Sequence, residues 1–300
     1  MQVYKDGEIL SVEKASVSIM DHGFMYGVGL FETIKVVQGN PVLLEEHLIR
    51  LKNGLESVYI QWNYTVEKVR EAIIRTLEAN NLKDAVIRLN VTAGVAEWGM
   101  PTESYVHPST IIYARPLPPT SVETKEACIL EIKRNTPEGP VRLKSHHYLN
   151  NLLAKRELIG KPINTEGIFL TENGYIAEGI ISNVFWVKDG KVFSPSISTG
   201  ILNGIMRQLI IHLLQLLNIE VEEGLYTEEA LLNSDEVFFT NSVQEVAPVN
   251  KIDSNMYDGT NGTIFKKLHA ILKECPPSIA YVTDIKEIKV DGNKYKVFLK

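Results

Sequence analysis

Cysteine is almost missing from this chain: only Cys128 and Cys275 occur among 300 residues. Two thiols so far apart exclude a disulfide framework and a Cys-rich metal cluster, and they read as reduced thiols of a cytosolic protein. Long apolar runs are missing too. No uninterrupted stretch approaches the roughly 20 residues that a membrane-spanning helix needs. The N-terminus, Met1-Gln2-Val3-Tyr4-Lys5-Asp6-Gly7, has no basic segment leading into an apolar core, so no secretory signal is expected. Basic residues are not in excess. With 31 Lys and Arg against 37 Asp and Glu, the net charge of −6 removes any broad electrostatic drive toward nucleic acid or an anionic membrane. A local basic pocket for a small anion stays open. Repeats, low-complexity tracts, metal-ligand clusters, Walker-type phosphate loops and nucleophile–histidine motifs are all lacking.

What is present is an ordinary globular pattern, 44% hydrophobic, in a chain long enough for two domains. Tyr4 to Leu10 reads as a strand pair turning at Asp6-Gly7, a strong hairpin dipeptide. Phe31 to Val37 is β-like, and Leu43, Leu44, His47, Leu48, Leu51 and Leu55 then recur at helical spacing. Thr65 is placed to cap a second helix through Ile73, Ile74 and Leu77. Val86 to Val91 and Thr110 to Ala114 are short β-branched runs. The stiff stretch around Pro116, Pro118 and Pro119 is the best linker, between about 115 and 125.

Beyond it, a strand from Ala127 to Lys133 precedes a helix from His147 to Ile159 with Leu149, Leu152, Leu153 and Leu158 on its apolar face. Strands follow at Gly167 to Thr171, Ala177 to Glu178 and Val184 to Lys188. Asn203 to Leu217 is an amphipathic helix, Glu236 to Thr240 a buried strand, and Phe265 to Leu272 a closing helix. Strands and helices interleave in both halves, so two α/β domains are expected, 1–117 and 118–300, with a small-molecule site at their junction. The stretch from 276 to 300, with hairpin-like Val290 to Tyr295, has no assigned role.

Composition and periodicity do not reveal a reaction. Specific blocks do. The first is Asp21-His22-Gly23-Phe24-Met25-Tyr26-Gly27-Val28-Gly29-Leu30-Phe31-Glu32, followed by Glu46-His47-Leu48-Ile49-Arg50-Leu51. Then come Arg142-Leu143-Lys144-Ser145-His146-His147-Tyr148-Leu149-Asn150-Asn151 and Ala177-Glu178-Gly179-Ile180-Ile181-Ser182-Asn183-Val184-Phe185. Gly200-Ile201-Leu202-Asn203-Gly204-Ile205-Met206-Arg207 and Thr240-Asn241-Ser242 complete the set. In this order the blocks resemble the class IV (branched-chain) aminotransferases. The resemblance implies fold type IV, an α/β chain of α+β type with a small N-terminal α/β domain and a larger C-terminal cofactor-binding domain that is mixed and β-barrel-like.

It also implies pyridoxal 5′-phosphate as cofactor and a set of residues for it. Lys144, just before a helix, supplies the amine that holds the cofactor and is the catalytic residue. An imine-forming lysine works best partly desolvated. Glu178 is the acid partner of the pyridine nitrogen. Arg50 supplies charge to the phosphate. Gly204, Ile205 and Met206, with Leu202 before them, open a helix whose unpaired N–H groups and dipole suit an anion. Ser242 adds a hydroxyl, and Ser182 and Asn183 complete the set. Met206 stands where many relatives have threonine, so one side-chain contact is lost there.

Three activities compete within this family. The segments Arg88-Leu89-Asn90-Val91-Thr92-Ala93-Gly94 and Asn135-Thr136-Pro137-Glu138-Gly139 resemble the bacillus-type 4-amino-4-deoxychorismate lyases. Such a lyase releases pyruvate and leaves 4-aminobenzoate for folate synthesis. D-amino acid transaminases carry an arginine where this chain has Ala93, and branched-chain enzymes a tyrosine where it has Leu149. Arg88, however, matches an arginine that branched-chain enzymes also use. A lyase is the first expectation, a branched-chain or D-amino acid transaminase the second, and a non-catalytic cofactor-binding protein a remote third. The lyase substrate is a dicarboxylate, for which Arg88 is the first cation and His146 a weaker candidate, with Tyr26 and Phe31 lining the pocket. A homodimer is implied by the family, while no metal, nucleic acid or membrane partner is expected.

Overall fold

The computed structural model of the chain describes residues 1–119, 124–292 and 294–300. Part of the expected linker, 120–123, therefore lies outside the described residues, as does Asn293. Contacts divide the chain into two compact units. The first holds Met1–Pro119, Leu143–His147 and Pro277–Tyr281. The second holds the described residues of Thr120–Arg142, with Tyr148–Pro276 and Val282–Lys300. Two short segments assigned by sequence to the second domain thus fold with the first. One of them carries Lys144.

The first unit is built from β1 (Gln2–Lys5), β2 (Glu8–Ser11), α1 (His22–Met25), β3 (Gly29–Val37), β4 (Asn40–Pro41), α2 (Leu44–Ser57), α3 (Val66–Ala79), β5 (Ala85–Thr92) and β6 (Ser109–Pro116). Its six strands form one sheet in the order β2-β1-β6-β5-β3-β4. Every pairing is antiparallel. The β1–β2 turn has Asp6 and Gly7 at positive φ, as the dipeptide leads one to expect. Leu48, Leu51 and Leu55 of α2 and Val69, Ile73 and Leu77 of α3 pack on Ile34, Ile87, Leu89 and Ile112 of the sheet. Each such side chain contributes roughly 1.5–3 kcal/mol. That burial holds α2 in place although Leu43, at its start, offers no side-chain cap. Thr65 does cap α3, accepting from the Lys68 N–H.

The second unit begins with β7 (Lys125–Ile129), α4 (Leu149–Arg156), β8 (Glu166–Leu170), β9 (Ile176–Gly179), β10 (Asn183–Lys188) and β11 (Lys191–Pro195). It continues with α5 (Ile205–Leu216), β12 (Val221–Gly224), α6 (Glu228–Leu232), β13 (Glu236–Asn241), β14 (Glu245–Ile252), β15 (Asn255–Met256) and α7 (Thr263–Glu274). A hairpin of β16 (Ile285–Asp291) and β17 (Lys294–Leu299) ends the chain, so α7 is not the closing element. The main sheet runs β12-β11-β10-β13-β14-β7-β8-β9, with β15 attached to β14. It is mixed: β11·β12, β14·β7 and β7·β8 are parallel and the remaining pairs antiparallel. Its last strand in space, β9, leads through Ile180–Ser182 straight into β10 near the other end, so the sheet curls as a half-barrel. One face packs around Trp186, Ile168, Phe239 and Val249, the other around Phe169, Ala177, Leu130 and Ile201.

The α4 region departs from expectation. The strand expected to reach Lys133 ends at Ile129, and the helix contracts to Leu149–Arg156. Its leucines face outward: Leu149 is 66%, Leu152 53% and Leu153 43% exposed. Asn151 and Ala154 are buried instead. Polar anchors orient this helix, because Asn151 Nδ2 donates to the Ile180 carbonyl at 2.5 Å and Asn150 Nδ2 to the Lys133 carbonyl at 3.0 Å. Among the described residues, no helix is long and apolar enough to cross a membrane.

Candidate active site

In the first unit, backbone pairing positions the expected cofactor lysine. Leu30 of β3 bridges to Ser145; the Phe31 N–H donates to the Lys144 carbonyl at 2.9 Å and the His146 N–H to the Gly29 carbonyl at 3.0 Å. Lys144 is thereby held as an extra strand residue on β3. Its Nζ lies 4.6 Å from the centroid of the Phe31 ring, and the Arg88 guanidinium lies 3.7 Å from the same centroid. Phe31, 1% exposed, is a buried floor under two cations, whose charges its ring face attracts. The exposed Arg88 is steadied by donating from Nε to Asn90 Oδ1 at 3.1 Å.

His146 stacks on the same ring, centroids 6.2 Å apart. It can do so because residue 29 is glycine: a Cβ there would stand 2.6 Å from its Cε1. Burial, and then the Arg88 charge, push His146 down to about 4, so its imidazole is neutral at neutral pH. Its Nε2 is buried without a hydrogen-bond partner among the described residues. Tyr26 ends α1, its ring edge-on to His22 at 4.9 Å. His22 is fully buried and ties Tyr105 Oη (2.9 Å) and the Glu97 carbonyl (3.0 Å) to the signature segment.

Arg50 sits one turn beyond His47 on α2, and both reach Glu32 of β3. Arg50 Nε donates to Glu32 Oε1 at 2.8 Å and Nη2 to Oε2 at 2.6 Å. His47 Nδ1 meets Oε2 at 2.7 Å. Glu32 is 1% exposed, and burial alone would raise its pKa. The Arg50 charge and His47 outweigh that and hold the carboxyl down at about 2. His47 itself is lowered, chiefly by burial, and donates as a neutral imidazole. The charge of Arg50 is therefore shared with Glu32, a constraint the helical spacing alone does not disclose.

In the second unit, Glu178 stands near the end of β9, 5% exposed. Its Oε1 accepts from Arg134 Nε at 2.8 Å and its Oε2 from the Leu202 N–H at 2.9 Å, while Arg142 Nε lies 3.9 Å away. Arg142 also donates to the Gly200 and Asn135 carbonyls. Asn183, at the start of β10, donates to the Leu202 carbonyl at 2.8 Å. Gly204 then caps α5 with no side-chain acceptor, so the N–H groups of that helix start receive no side-chain cap. A Cβ at Gly204 would stand 2.2 Å from Asn183 Oδ1, which keeps this corner reserved for glycine. Ile205 and Met206 bury their side chains behind it. Ser182 Oγ and Thr240 Oγ1 are buried hydroxyls without a hydrogen-bond partner among the described residues. Ser242 lies half-buried in the β13–β14 turn, two residues past Thr240, which pairs with Asn183.

The structure thus gathers Phe31, Arg88, Lys144 and His146 around one ring, with Arg50 tied to the next residue of β3. It gathers Glu178, Leu202, Asn183 and Gly204 around one loop. Arg134, Glu32 and His47 acquire roles the sequence reading did not give them. Glu32 and His47 stand inside the segments 21–32 and 46–51 that resemble the family, and that is the signal available for them. Arg134 follows Lys133 and looks like one of two surface charges.

Comparison with known proteins adds an independent line. Residues 29–252 match the family model for amino-transferase class IV. The aminodeoxychorismate lyase of Bacillus subtilis (strain 168) is 42% identical over 275 residues, covering 91% of this chain and 94% of that protein. The crystal structure of the branched-chain aminotransferase from Thermoproteus uzoniensis with norvaline superposes with a TM-score of 0.83 at 28% identity, covering 91% and 94% of the two chains. That of the 4-amino-4-deoxychorismate lyase from Pseudomonas aeruginosa gives 0.80 at 26% identity, covering 90% and 98%.

Proposed function

The chain belongs to the amino-transferase class IV family, and from that premise we propose that it is a pyridoxal-phosphate-dependent 4-amino-4-deoxychorismate lyase. It releases pyruvate and yields 4-aminobenzoate for folate synthesis. The observation that carries this choice within the family is the 42% identity to the Bacillus subtilis lyase across 91% of the chain. The residues present fit the cofactor: a half-buried lysine, a buried carboxylate, a helix start without a side-chain cap and two buried hydroxyls without partners occur among the described residues.

Lys144 would hold the cofactor, Glu178 its ring nitrogen, and Arg50, Ser242 and the N–H groups of Ile205 and Met206 its phosphate. Leu202 and Gly204 would shape that turn, with Ser182 and Asn183 beside it. When bound, the cofactor withdraws electron density from the amine-bearing carbon of the substrate. Lys144 Nζ takes the proton from that ring carbon, working as a general base. The C–O bond to the enolpyruvyl group then breaks, its electron pair leaving with the oxygen as the ring becomes aromatic, and the departing enolate takes up a proton to become pyruvate. The exposed Arg88 guanidinium receives a substrate carboxylate, with neutral His146 and Tyr26 at its side and Phe31 beneath.

The partner we propose is a second copy of the chain, in a cytoplasm that keeps Cys128 and Cys275 reduced. The outward leucines of α4 support a homodimer. Light scattering is expected to give twice the 33.7 kDa chain mass. A monomer at micromolar concentration would remove that part of the reading.

The assay for the activity is direct. Cofactor-loaded protein is mixed with aminodeoxychorismate, and 4-aminobenzoate and pyruvate are quantified. Equimolar products are expected. Keto-acid-dependent amine transfer without aminobenzoate would establish the transaminase reading instead, which the Thermoproteus uzoniensis likeness and Arg88 favour.

A further inference from the structure

Glu178 is not held by the main chain alone. Arg134 reaches it from the segment between β7 and α4 and meets Oε1 at 2.8 Å, both side chains 7% exposed. The other arm of that guanidinium is clamped: Nη1 donates to Asn150 Oδ1 at 2.7 Å, Asn135 Oδ1 at 2.9 Å and Asn151 Oδ1 at 3.5 Å. Asn150 and Asn151 lie in the first turn of α4, and Asn150 also fixes the Lys133 carbonyl. The face of Phe169 lies 5.2 Å from the same guanidinium. This explains why α4 turns its amides inward, with Asn151 buried and Asn150 half-buried, and leaves its leucines exposed.

We propose that Arg134 is a positioning residue that fixes the orientation of Glu178 toward the cofactor ring and holds it in an ion pair, with Asn150 as its clamp. The proposal rests on the reading of Glu178 as partner of the ring nitrogen. The physical case has two parts. Removing the cation beside a buried carboxylate favours the protonated form of that group, and a protonated carboxyl no longer favours a protonated pyridine; Arg134 is the cation in hydrogen-bond contact with Glu178. Arg142, at 3.9 Å, is too far for a hydrogen bond and is itself committed to the Gly200 and Asn135 carbonyls. Orientation is the second part. With Oε2 tied to Leu202 N–H and Oε1 to Arg134, the carboxylate plane is fixed at both ends, and the three asparagine oxygens stop Arg134 from swinging away.

The test compares wild type with Arg134→Met, Arg134→Lys and Asn150→Ala. Three readouts are taken: cofactor dissociation constant, pH dependence of the bound cofactor's absorption bands, and the acid limb of turnover. Arg134→Met is expected to weaken cofactor binding about 10- to 100-fold, the range in which supporting partners act on ligands of a bound group. It is expected to raise both the spectral transition and the acid limb by about 1 pH unit or more. Arg134→Lys should restore the charge and most of the pH behaviour but not the full affinity. Asn150→Ala, which leaves Arg134 in place, should show a smaller shift of the same sign. Wild-type-like affinity and pH limbs in Arg134→Met, with a normal melting curve, would overturn the proposal. So would an affinity loss without any pH displacement in all three variants, since that marks general loosening. Failure of the wild type to take up cofactor would instead overturn the underlying reading of the site.

Discussion

Replacing Lys144 with alanine is expected to lower aminobenzoate release by about 10⁴-fold or more, because one residue is asked to hold the cofactor and to move the substrate proton. A positioned general base alone accounts for about 10²–10⁴-fold. The structure adds a reason to expect a clean result. Lys144 is fixed by its own backbone pairing with β3 and not by its side chain, so the fold should survive truncation. The cation over Phe31 is lost, yet Arg88 remains there at 3.7 Å. The measurement is single-turnover product formation with circular dichroism of the same samples. Lys144→Arg separates charge from chemistry, since a guanidinium keeps the cation over Phe31 but does not form an imine or accept a proton at neutral pH. Both variants should be equally inactive. Turnover within tenfold of wild type in either would remove Lys144 from the mechanism.

How much of this was legible beforehand depends on what kind of contact decides each element. The Asp6-Gly7 hairpin, β3, α2, α3 and its Thr65 cap follow from local turn chemistry and periodicity, and the structure agrees with them. Edge elements such as β12 and β15, four and two residues long, carry too little pattern to be read. The α4 leucines misled because periodicity reports an apolar stripe, whatever covers it. Here Asn150 and Asn151 decide the orientation through hydrogen bonds to segments well before and after them in sequence. Arg134 was invisible for the same reason. Its partner Glu178 is on a distant strand, and an arginine beside a lysine looks solvated until the fold buries it to 9%. The place of Lys144 in the fold was not legible: its five-residue segment joins the first unit, against the division that the Pro-rich linker indicates.

Removing Arg50 is expected to cost about 3–5 kcal/mol in stability, because it strands a buried charge. Glu32 is 1% exposed, with Arg50 on both of its oxygens and His47 on one. In Arg50→Leu the carboxylate keeps only a neutral imidazole and must either stay charged in the interior or bind a proton. The double variant Glu32→Gln with Arg50→Leu should recover much of the loss, since no unpaired charge is left behind. Urea unfolding of the single and double variants measures both. The pH dependence has a definite sign. Glu32 is held at about 2 against an ordinary 4.5, so its contribution is full above about 4.5 and is lost as pH falls toward 2. His47 is lowered from 6.5, so the unfolded chain gains a proton there first, and stability should begin to fall already below about pH 6.5. The wild type should thus lose stability in two stages on acidification, and Glu32→Gln should lack the second. If Arg50→Leu unfolds at the wild-type urea concentration, or if Glu32→Gln retains both stages, the Glu32 cluster does not carry the stability assigned to it and Arg50 acts on the cofactor phosphate alone.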